Sequence, residues 1–464
     1  MITDKKVFGT TERIHLTGIG GAGMSGIAEY LLKNNYKVTG SDMNLSAVTK
    51  KLENLGAKIF QGHKESNLPD DTELVIYTSA VKDDNEELSK ALRLKIHIMK
   101  RAEALGNIVN DKFLIAVSGT HGKTTTSAMI AKVLIDENYD PTVFIGGLPD
   151  FLDGNSSRSG RSEYAVAEAD EYDRSFYHLK PDIAVITNID EDHLDIYKDI
   201  EDIKKSFRHF IDNCKKGSRI IAYGDDGNIR EVLKDFKNTV YYGFGENNDC
   251  IIKNVSYDNG KVEFSINDDE ILLRVPGNHN ILNSAAAFLA AKELKIRTDN
   301  FNSSIMNFHG VKRRLELKFE NGIRIYDDYA HHPTEVRASL EAIKKIHSGR
   351  IITLFQPHLF TRTRDFYREF GNAFLETDIL FLTKIYPARE TEIEGVDSGL
   401  ILSEYLKSGK KGYYIENKES LLSELENIIM EGDVILFQGA GDITELCSKF
   451  VKISGKKRNK KVPL

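Results

Sequence analysis

Residues 115–126 read Ile115-Ala-Val-Ser-Gly-Thr-His-Gly-Lys-Thr-Thr-Thr126, and this stretch decides how the chain is organised. An apolar, β-type run precedes a loop of small residues that ends in Gly122-Lys123-Thr124, and a helical pattern follows. This layout is typical of a phosphate-binding loop, in which backbone N–H groups and a helix N-terminus face the anion. Ser118 stands where the common pattern has glycine, so the loop is a shorter variant, residues 119–125. The alternative is an ordinary glycine turn, but the flanking strand and helix favour an ATP or GTP loop.

Length and composition limit the class of protein. A chain of 464 residues is too long for one core and predicts about three domains. A net charge of −7 argues against a general nucleic-acid binder, and the basic run at 456–461 reads as a solvated tail. The sequence has a polar N-terminus and lacks the long apolar run of a membrane span. Its three cysteines, which lack metal-ligand spacing, suit a reducing compartment, so we predict a cytoplasmic protein that binds neither nucleic acid nor membrane.

A second glycine loop lies near the N-terminus. Residues 14–42 read as strand, loop (Gly18-Ile-Gly20-Gly-Ala-Gly23), helix and strand, and the second strand ends at Asp42. A G-x-G-x-x-G loop in this context predicts a dinucleotide-type fold, with a diphosphate near the glycines and Asp42 on a ribose. The pattern does not specify a nicotinamide cofactor. A nicotinamide oxidoreductase remains an alternative, although it leaves the phosphate loop unexplained.

Two acidic stretches, 168–173 and 188–195, follow predicted strands that come after the phosphate loop. Ligands of open α/β sheets bind at the carboxyl ends of strands, so both stretches should lie near the bound phosphates. Carboxylates there are expected to bind Mg²⁺ or to act as a base. A solvated acidic turn is the alternative for either stretch alone, but a pair after successive strands favours a metal site.

The remaining chain reads as a β-rich edge (219–275), an alanine-rich helix predicted over 284–294 and opened by residues 276–283, and a third parallel sheet. His279, Asn280 and Asn283 are spaced to share one face at the start of that helix, where they could cap it or contact a base. In the third sheet, polar residues follow four predicted strands, and arginines at 362 and 364 suit a carboxylate or phosphate. Neighbouring His331 and His332 could bind a metal, but adjacent loop residues rarely face one ion.

Taken in order, these motifs resemble the ATP-dependent Mur ligases. The resemblance rests on stretches that lie along nearly the whole chain: 18–28, 119–126, 168–173, 187–193, 277–283, Arg313-Arg314, 327–335, 356–358 with 361–364, and 439–442. It implies an α/β protein of three domains. These are a Rossmann-like domain for a UDP-sugar (1–106), a central P-loop ATPase-like domain with a parallel sheet for ATP (107–310) and a Rossmann-like domain for an amino acid (311–464).

The resemblance also implies a reaction. ATP would phosphorylate the lactyl carboxylate of UDP-N-acetylmuramate, and the amine of L-alanine would attack the acyl phosphate, giving ADP and phosphate in peptidoglycan precursor synthesis. The cofactors would be ATP and Mg²⁺, and the protein a monomer or weak homodimer. The main rival is a recycling ligase that attaches a tripeptide to the same sugar. The Gly-Gly-Ala-Gly-Met sequence of the N-terminal glycine loop disfavours it. A nucleotide-gated binding protein without chemistry would leave the acidic stretches unexplained.

The resemblance assigns residues to four sites. The ATP site would contain Gly119, Thr120, His121, Gly122, Lys123, Thr124, Thr125, His279, Asn283, Arg313 and Asp328. Mg²⁺ would be held by Thr124, Glu168 and His193. The UDP-sugar would be held by Gly18, Gly20, Gly21, Gly23, Asp42 and Ser79, and the amino acid by Tyr329, His331, His358 and Arg362. The residues implied to carry the catalysis are Lys123, His193, His331 and Arg362. Leu359 stands where we expect arginine in many relatives, and we identify no lysine suited to bridge a second metal.

Overall fold

The structure is a computed structural model that describes residues 7–82, 84–193, 196–258, 261–388 and 390–458, with residues 457 and 458 described by their backbone only. Residues 459–461 of the basic run therefore lie outside the described residues, as do Leu194 and Asp195 of the second acidic stretch. The fold is α/β and contains three sheets, as predicted.

The first sheet has five parallel strands in the order β3-β2-β1-β4-β5. They are β1 (Arg13–Thr17), β2 (Lys37–Asp42), β3 (Lys58–Gln61), β4 (Leu74–Tyr77) and β5 (His97–Lys100). The helices are α1 (Ala22–Lys33), α2 (Ala47–Asn54), α3 (Glu86–Arg93) and α4 (Arg101–Val109), with a 3-10 turn at Glu65–Asn67. The Rossmann-like prediction is confirmed, and the glycine loop follows the central strand, where the strand order reverses and ligands bind in such sheets.

The second sheet has ten strands in the order β15-β14-β13-β12-β11-β10-β6-β9-β7-β8. They are β6 (Phe113–Ser118), β7 (Thr142–Phe144), β8 (Ser157–Arg158), β9 (Tyr164–Glu168), β10 (Ile183–Ile186), β11 (Arg219–Tyr223), β12 (Thr239–Gly243), β13 (Cys250–Asp258), β14 (Lys261–Ile266) and β15 (Asp269–Leu273). The helices are α5 (Lys123–Asp136), α6 (Ile200–Asp212), α7 (Gly227–Leu233), α8 (Asn278–Glu293) and α9 (Thr298–Met306), with 3-10 segments at Asp150–Leu152 and Tyr172–His178.

The position of β6 in this sheet explains the predicted site. It pairs in parallel with β9 on one side and β10 on the other, so the phosphate loop and both acidic stretches leave the same edge. Helix α8 begins at Asn278, earlier than the sequence pattern indicated, because Gly277 with φ +103° makes the turn before it. His279 and Asn283 are therefore one helical turn apart.

The third sheet has six strands in the order β16-β17-β21-β18-β19-β20, all parallel to their neighbours except β16. They are β16 (Glu316–Glu320), β17 (Arg324–Asp328), β18 (Ile351–Phe355), β19 (Ile379–Leu382), β20 (Lys411–Tyr414) and β21 (Val434–Gln438). The helices are α10 (Pro333–Ile346), α11 (Phe360–Ala373), α12 (Gly399–Leu406), α13 (Lys418–Ile428) and α14 (Ile443–Arg458).

The chain forms two compact units. The first contains residues 1–255, 264–272 and 282–308, and therefore the first sheet and most of the second. The second unit contains 256–263, 273–281 and 309–464, and therefore the third sheet. Within the described ranges, no helix is long and apolar enough to cross a membrane. The domain limits at residues 106 and 310 remain predictions.

Candidate active site

The phosphate loop is shaped by two glycines with positive φ. Gly119 has φ +137°, and a Cβ there would lie 2.0 Å from Thr187 Oγ1. Gly122 has φ +82°, and a Cβ there would lie 2.6 Å from Asn283 Oδ1. Both positions require glycine, because L side chains avoid this backbone region and the neighbouring atoms leave no room. The loop therefore reaches the start of α5 in one defined conformation.

Lys123 is the first residue of α5, and its ammonium lies over the loop. It donates to the carbonyl oxygens of Gly119 (2.6 Å) and Thr120 (3.0 Å) and pairs with the buried carboxylate of Glu171 at 2.8–2.9 Å. Glu171 lies in the first acidic stretch and is not among the predicted site residues. The side chain of Lys123 is therefore held at the place where a bound phosphate would meet it.

Burial and charge oppose each other at this pair. Burial by itself would lower the pKa of Lys123, but nearby carboxylates, Glu171 foremost, raise it above its ordinary value. Burial raises the pKa of Glu171 to about 7, and the charge of Lys123 opposes that rise. Lys123 is therefore a permanent cation at neutral pH, as neutralising phosphate charge requires.

Thr124 and Glu168 bring oxygen ligands together. The Thr124 hydroxyl donates to both carboxylate oxygens of Glu168 at 3.0 and 3.1 Å, and Glu168 also accepts from the Gly146 N–H at 2.7 Å. Glu168 ends β9, as the strand-end argument predicted. A hydroxyl and a carboxylate side by side are the hard oxygen donors that Mg²⁺ prefers, so these two residues fit a magnesium site.

The second acidic stretch mainly holds the phosphate loop. Asn188 accepts from the His121 N–H at 2.8 Å, and Thr187 donates to the His121 carbonyl at 2.5 Å. The Thr120 hydroxyl accepts from the Asp190 N–H at 2.9 Å. Backbone and side-chain groups of the β10 loop thus lock the conformation of Thr120 and His121.

His193 is the residue of this stretch that approaches the Lys123 pair. Its φ is +54°, and its Nε2 lies 3.7 Å from Glu171 Oε1. The ring packs edge-on against Tyr172, with centroids 5.1 Å apart. The structure thus brings His193 to the first acidic stretch, which is the surrounding expected of a metal ligand.

His279 and Asn283, the two residues of the predicted ATP site that could contact the base, lie in different surroundings. Asn283 accepts from the Thr126 hydroxyl at 3.1 Å, within a helical turn of the phosphate loop. His279 belongs to the second compact unit. The Nδ1 atom of His279 is buried without a hydrogen-bond partner among the described residues. Burial lowers the pKa of His279 to about 4, while the Glu335 carboxylate opposes that shift, so the ring is neutral at physiological pH.

The N-terminal glycine loop is held by the residues that end β2. The N–H groups of Gly18 and Ile19 donate to the Ser41 carbonyl at 2.8 and 3.0 Å, and the Gly20 N–H donates to Asp42 at 2.9 Å. Asp42, assigned to a ribose, therefore also fixes the loop. Ser79 donates to Asp173 at 2.7 Å.

A cavity of about 320 Å³, which we call the first-unit cleft, lies between the N-terminal glycine loop and the end of β9. Its lining includes Gly21 and Gly23 from the N-terminal loop, Glu168 and Asp170 from the end of β9, and Arg101. The Arg101 guanidinium packs on Gly23, where a Cβ would lie 2.9 Å from Nη1. Within the described part of the chain, the Arg101 guanidinium makes neither a hydrogen bond nor an ion pair. Arg101 is not among the predicted site residues, although its position directly after β5 places it at the carboxyl end of a strand, where ligands bind.

In the second unit, the predicted nucleotide residues are tied to their own sheet. Arg313 donates to the carbonyls of Gly439 (2.6 Å) and Gly441 (3.2 Å), and its guanidinium lies 4.9 Å from the Tyr329 ring. Asp328 accepts from the Gln438 amide at 3.0 Å, and burial raises its pKa. Both residues lie at the carboxyl edge of the third sheet.

The four residues assigned to the amino acid, which we call the third-sheet rim, are Tyr329, His331, His358 and Arg362. The His331 ring lies 5.2 Å from Tyr329 and 5.7 Å from His358. His331 Nδ1 lies 2.9 Å from the Tyr329 carbonyl, which can only accept, so Nδ1 carries the proton. Arg362 is buried in the first turn of α11, and His332 caps α10 by accepting from the Thr334 N–H at 3.4 Å.

These features define a multidomain α/β protein of the phosphate-loop class. Three family models match the chain: "Mur ligase family, catalytic domain" over residues 13–113, "Mur ligase middle domain" over 117–291 and "Mur ligase, glutamate ligase domain" over 313–441. The chain belongs to the Mur ligase family.

Curated relatives and solved structures agree with this membership. The chain is 42% identical to the UDP-N-acetylmuramate–L-alanine ligase of a Sulfurihydrogenibium species, over 97% of this chain and 99% of that one. It is also 42% identical to the enzyme of that name from Clostridium tetani, over 95% and 98%. The crystal structure of the UDP-N-acetylmuramate–alanine ligase of Thermotoga maritima is similar with a TM-score of 0.80 and 30% identity, covering 96% of this chain and 99% of that one. A murein peptide ligase from Psychrobacter arcticus shares the fold, with a TM-score of 0.69 and 24% identity.

Proposed function

We propose that this protein joins L-alanine to the lactyl carboxylate of UDP-N-acetylmuramate, with conversion of ATP to ADP and phosphate, in peptidoglycan precursor synthesis. The observation that carries the proposal is the first-unit cleft. It is lined by the N-terminal glycine loop on one side and by Glu168, which contacts Thr124 of the phosphate loop, on the other. A sugar nucleotide on the N-terminal glycine loop would thus extend toward the γ-phosphate of ATP on the phosphate loop.

The chemistry follows from the poor reactivity of a carboxylate. A lactyl oxygen attacks the γ-phosphorus, the bond to the ADP oxygen breaks, and an acyl phosphate forms. The amine of L-alanine then attacks the acyl carbon, phosphate leaves, and the amine loses a proton. The enzyme supplies positioning and charge neutralisation, for which the permanent cation of Lys123 and the N–H groups of the phosphate loop are suited.

Magnesium is the second cofactor that we propose. Thr124 and Glu168 would bind it, since their oxygens already contact each other, and His193 would complete the set of protein ligands. When bound, the ion would neutralise negative charge on the phosphate oxygens.

The UDP-sugar would bind along the N-terminal glycine loop, at Gly18, Gly20, Gly21 and Gly23, with Asp42 and Ser79. We add Arg101, because its guanidinium lines the first-unit cleft beside Gly23 and suits a diphosphate.

L-Alanine would bind at the third-sheet rim. Arg362 would pair with its carboxylate, since a guanidinium matches a carboxylate with two parallel hydrogen bonds. His331 is held with its proton on Nδ1, so Nε2 is the atom able to take the proton that the amine loses.

The proposal includes a cytoplasmic location, which the three free cysteines support, since disulfides form mainly in oxidising compartments. A monomer or weak homodimer remains our prediction for the oligomeric state, and sedimentation at several concentrations would test it.

Phosphate release tests the function directly. The protein receives UDP-N-acetylmuramate, ATP and Mg²⁺ with no amino acid, with L-alanine, or with the tripeptide that the recycling ligases use. We expect release that depends on L-alanine. Release only with the tripeptide would identify a recycling ligase, and no dependence on L-alanine would overturn the proposal.

A further inference from the structure

The turn after β18 holds a leucine in a backbone conformation that bulky side chains rarely adopt. Leu359 is buried with φ +74° and directly precedes α11. Such a residue is a genuine outlier and persists only where its surroundings over-determine it. His358 and Arg362 of the third-sheet rim stand on either side of Leu359, so whatever holds this turn also sets their positions.

The carboxylate of Glu390 holds the turn from the neighbouring loop. Its Oε2 accepts from the N–H groups of Phe360 (2.6 Å) and Thr361 (3.1 Å), and its Oε1 accepts from the Thr361 hydroxyl (2.5 Å). Leu359 occupies the N-cap position of α11, and its side chain cannot accept a hydrogen bond. Glu390 therefore supplies from a distance the cap that the helix lacks in its own sequence.

Tyr386 fixes the same turn from a second point. Its carbonyl accepts from the Leu359 N–H at 3.0 Å, and its N–H donates to the Pro357 carbonyl at 2.8 Å. The Tyr386 ring stacks on His358, with centroids 5.7 Å apart and planes within 13°. A Cβ on Gly441 would lie 2.7 Å from the Tyr386 ring, so the ring also packs against the backbone at Gly441. The loop after β19 thus clamps both the backbone and one ring of the rim.

We propose that Glu390 is a positioning residue for L-alanine. By capping α11, its carboxylate holds Arg362, the third residue of the helix, where the guanidinium meets the carboxylate of the amino acid. The inference rests on the proposed function, because that function assigns L-alanine to the third-sheet rim. A carboxylate suits this role, since it satisfies two helix N–H groups at once and interacts favourably with the positive end of the helix dipole.

The experiment compares Michaelis constants for all three substrates in wild type and in Glu390→Gln. We expect the KM for L-alanine to rise about tenfold, the effect of losing one charged helix cap, while the KM values for ATP and UDP-N-acetylmuramate stay within about twofold. Glu394→Gln is the matched control. It removes the same charge from the same segment, and the exposed side chain of Glu394 makes no hydrogen bond or ion pair among the described residues.

Thr361→Val is the second variant, and it tests the role of Glu390 if Glu390→Gln does not fold. It removes only the hydroxyl that donates to Oε1, so we expect a rise of about threefold in the KM for L-alanine alone. An unchanged KM for L-alanine, an equal rise for all three substrates, or the same rise in Glu394→Gln would overturn the proposal. Wild type without L-alanine-dependent phosphate release would instead contradict the proposed function, so the two failures are distinguishable.

Discussion

The phosphate loop of the first unit is held mostly by backbone groups and by one neighbouring loop, whereas the third-sheet rim of the second unit combines side chains from loops far apart in sequence. Gly119 and Gly122 leave room for nothing larger, and Lys123 folds onto carbonyl oxygens of its own loop. In the rim, His331 follows β17 and His358 follows β18, and Tyr386, which stacks on His358 from outside the rim, follows β19.

The difference between the two regions indicates which substrate each of them recognises. A loop with a fixed backbone is suited to phosphates, whose recognition needs N–H groups and charge. A rim of side chains is suited to an amino acid, whose recognition depends on a few directed groups. Variants in the first unit should therefore change the kinetics of ATP or the UDP-sugar, and variants in the rim those of L-alanine.

The largest effect is expected for Lys123→Ala. Turnover should fall about 10³-fold, because the cation next to the transferred phosphoryl group is lost. Steady-state phosphate release measures this, and the thermal unfolding midpoint should show that the chain stays folded. Lys132→Ala, on the same helix but paired with Asp136, should keep near-normal turnover. A near-normal rate in Lys123→Ala would refute the role of the loop.

Glu168→Gln should lower turnover about 100-fold and raise the Mg²⁺ concentration needed for half-maximal rate, because an amide is a weaker ligand than a carboxylate. A Mg²⁺ titration at saturating substrates checks this. Glu163→Gln, just before the same strand, serves as the matched control. An unchanged Mg²⁺ requirement would remove Glu168 from the proposed metal site.

Arg362→Lys should raise the KM for L-alanine about tenfold and leave the KM for ATP unchanged, because lysine cannot make two parallel hydrogen bonds to a carboxylate. Arg368→Lys, on the exposed part of the same helix, should change neither constant. If the KM for ATP rose as much as that for L-alanine, the rim would not be a separate amino-acid site.

Arg101→Met should raise the KM for UDP-N-acetylmuramate about fivefold, through loss of one charge-assisted contact to the diphosphate. The KM for L-alanine should not change. Arg297→Met, at an exposed position of the same unit, provides the comparison. Equal behaviour of the two variants would exclude Arg101 from the sugar site.

The last prediction concerns stability and not kinetics, and it rests on the neutral ring of His279. Its pKa of about 4 lies below the ordinary value of 6.5, so the unfolded chain binds more protons between these values. The folded state should therefore lose about 3 kcal/mol of stability as pH falls from neutral to 4, and this group should have no effect well above pH 6.5. Urea unfolding across this range should show a weaker acid dependence in His279→Gln than in wild type. His97→Gln, at an exposed site, should leave the acid dependence unchanged.

Much of the fold followed from patterns that are local in sequence. The glycine loops at 18–23 and 119–122 could be predicted because their backbone geometry requires glycine, and the acidic stretches after β9 and β10 could be predicted because ligands bind at the carboxyl ends of strands. The early start of α8 was missed, because the turn at Gly277 is not part of the apolar pattern of the helix.

By itself, the sequence determined the three α/β sheets, the two loops and the family motifs, since period, turn residues and spacing are properties of short segments. Only the tertiary structure decided which side chains meet. It paired Lys123 with Glu171, set Arg101 in the first-unit cleft beside Gly23, and gave α11 its cap from Glu390. A contact between loops depends on the order of the strands and on the space that packing leaves between them. Neither can be predicted from one short segment of the sequence, because both depend on how distant segments pack together.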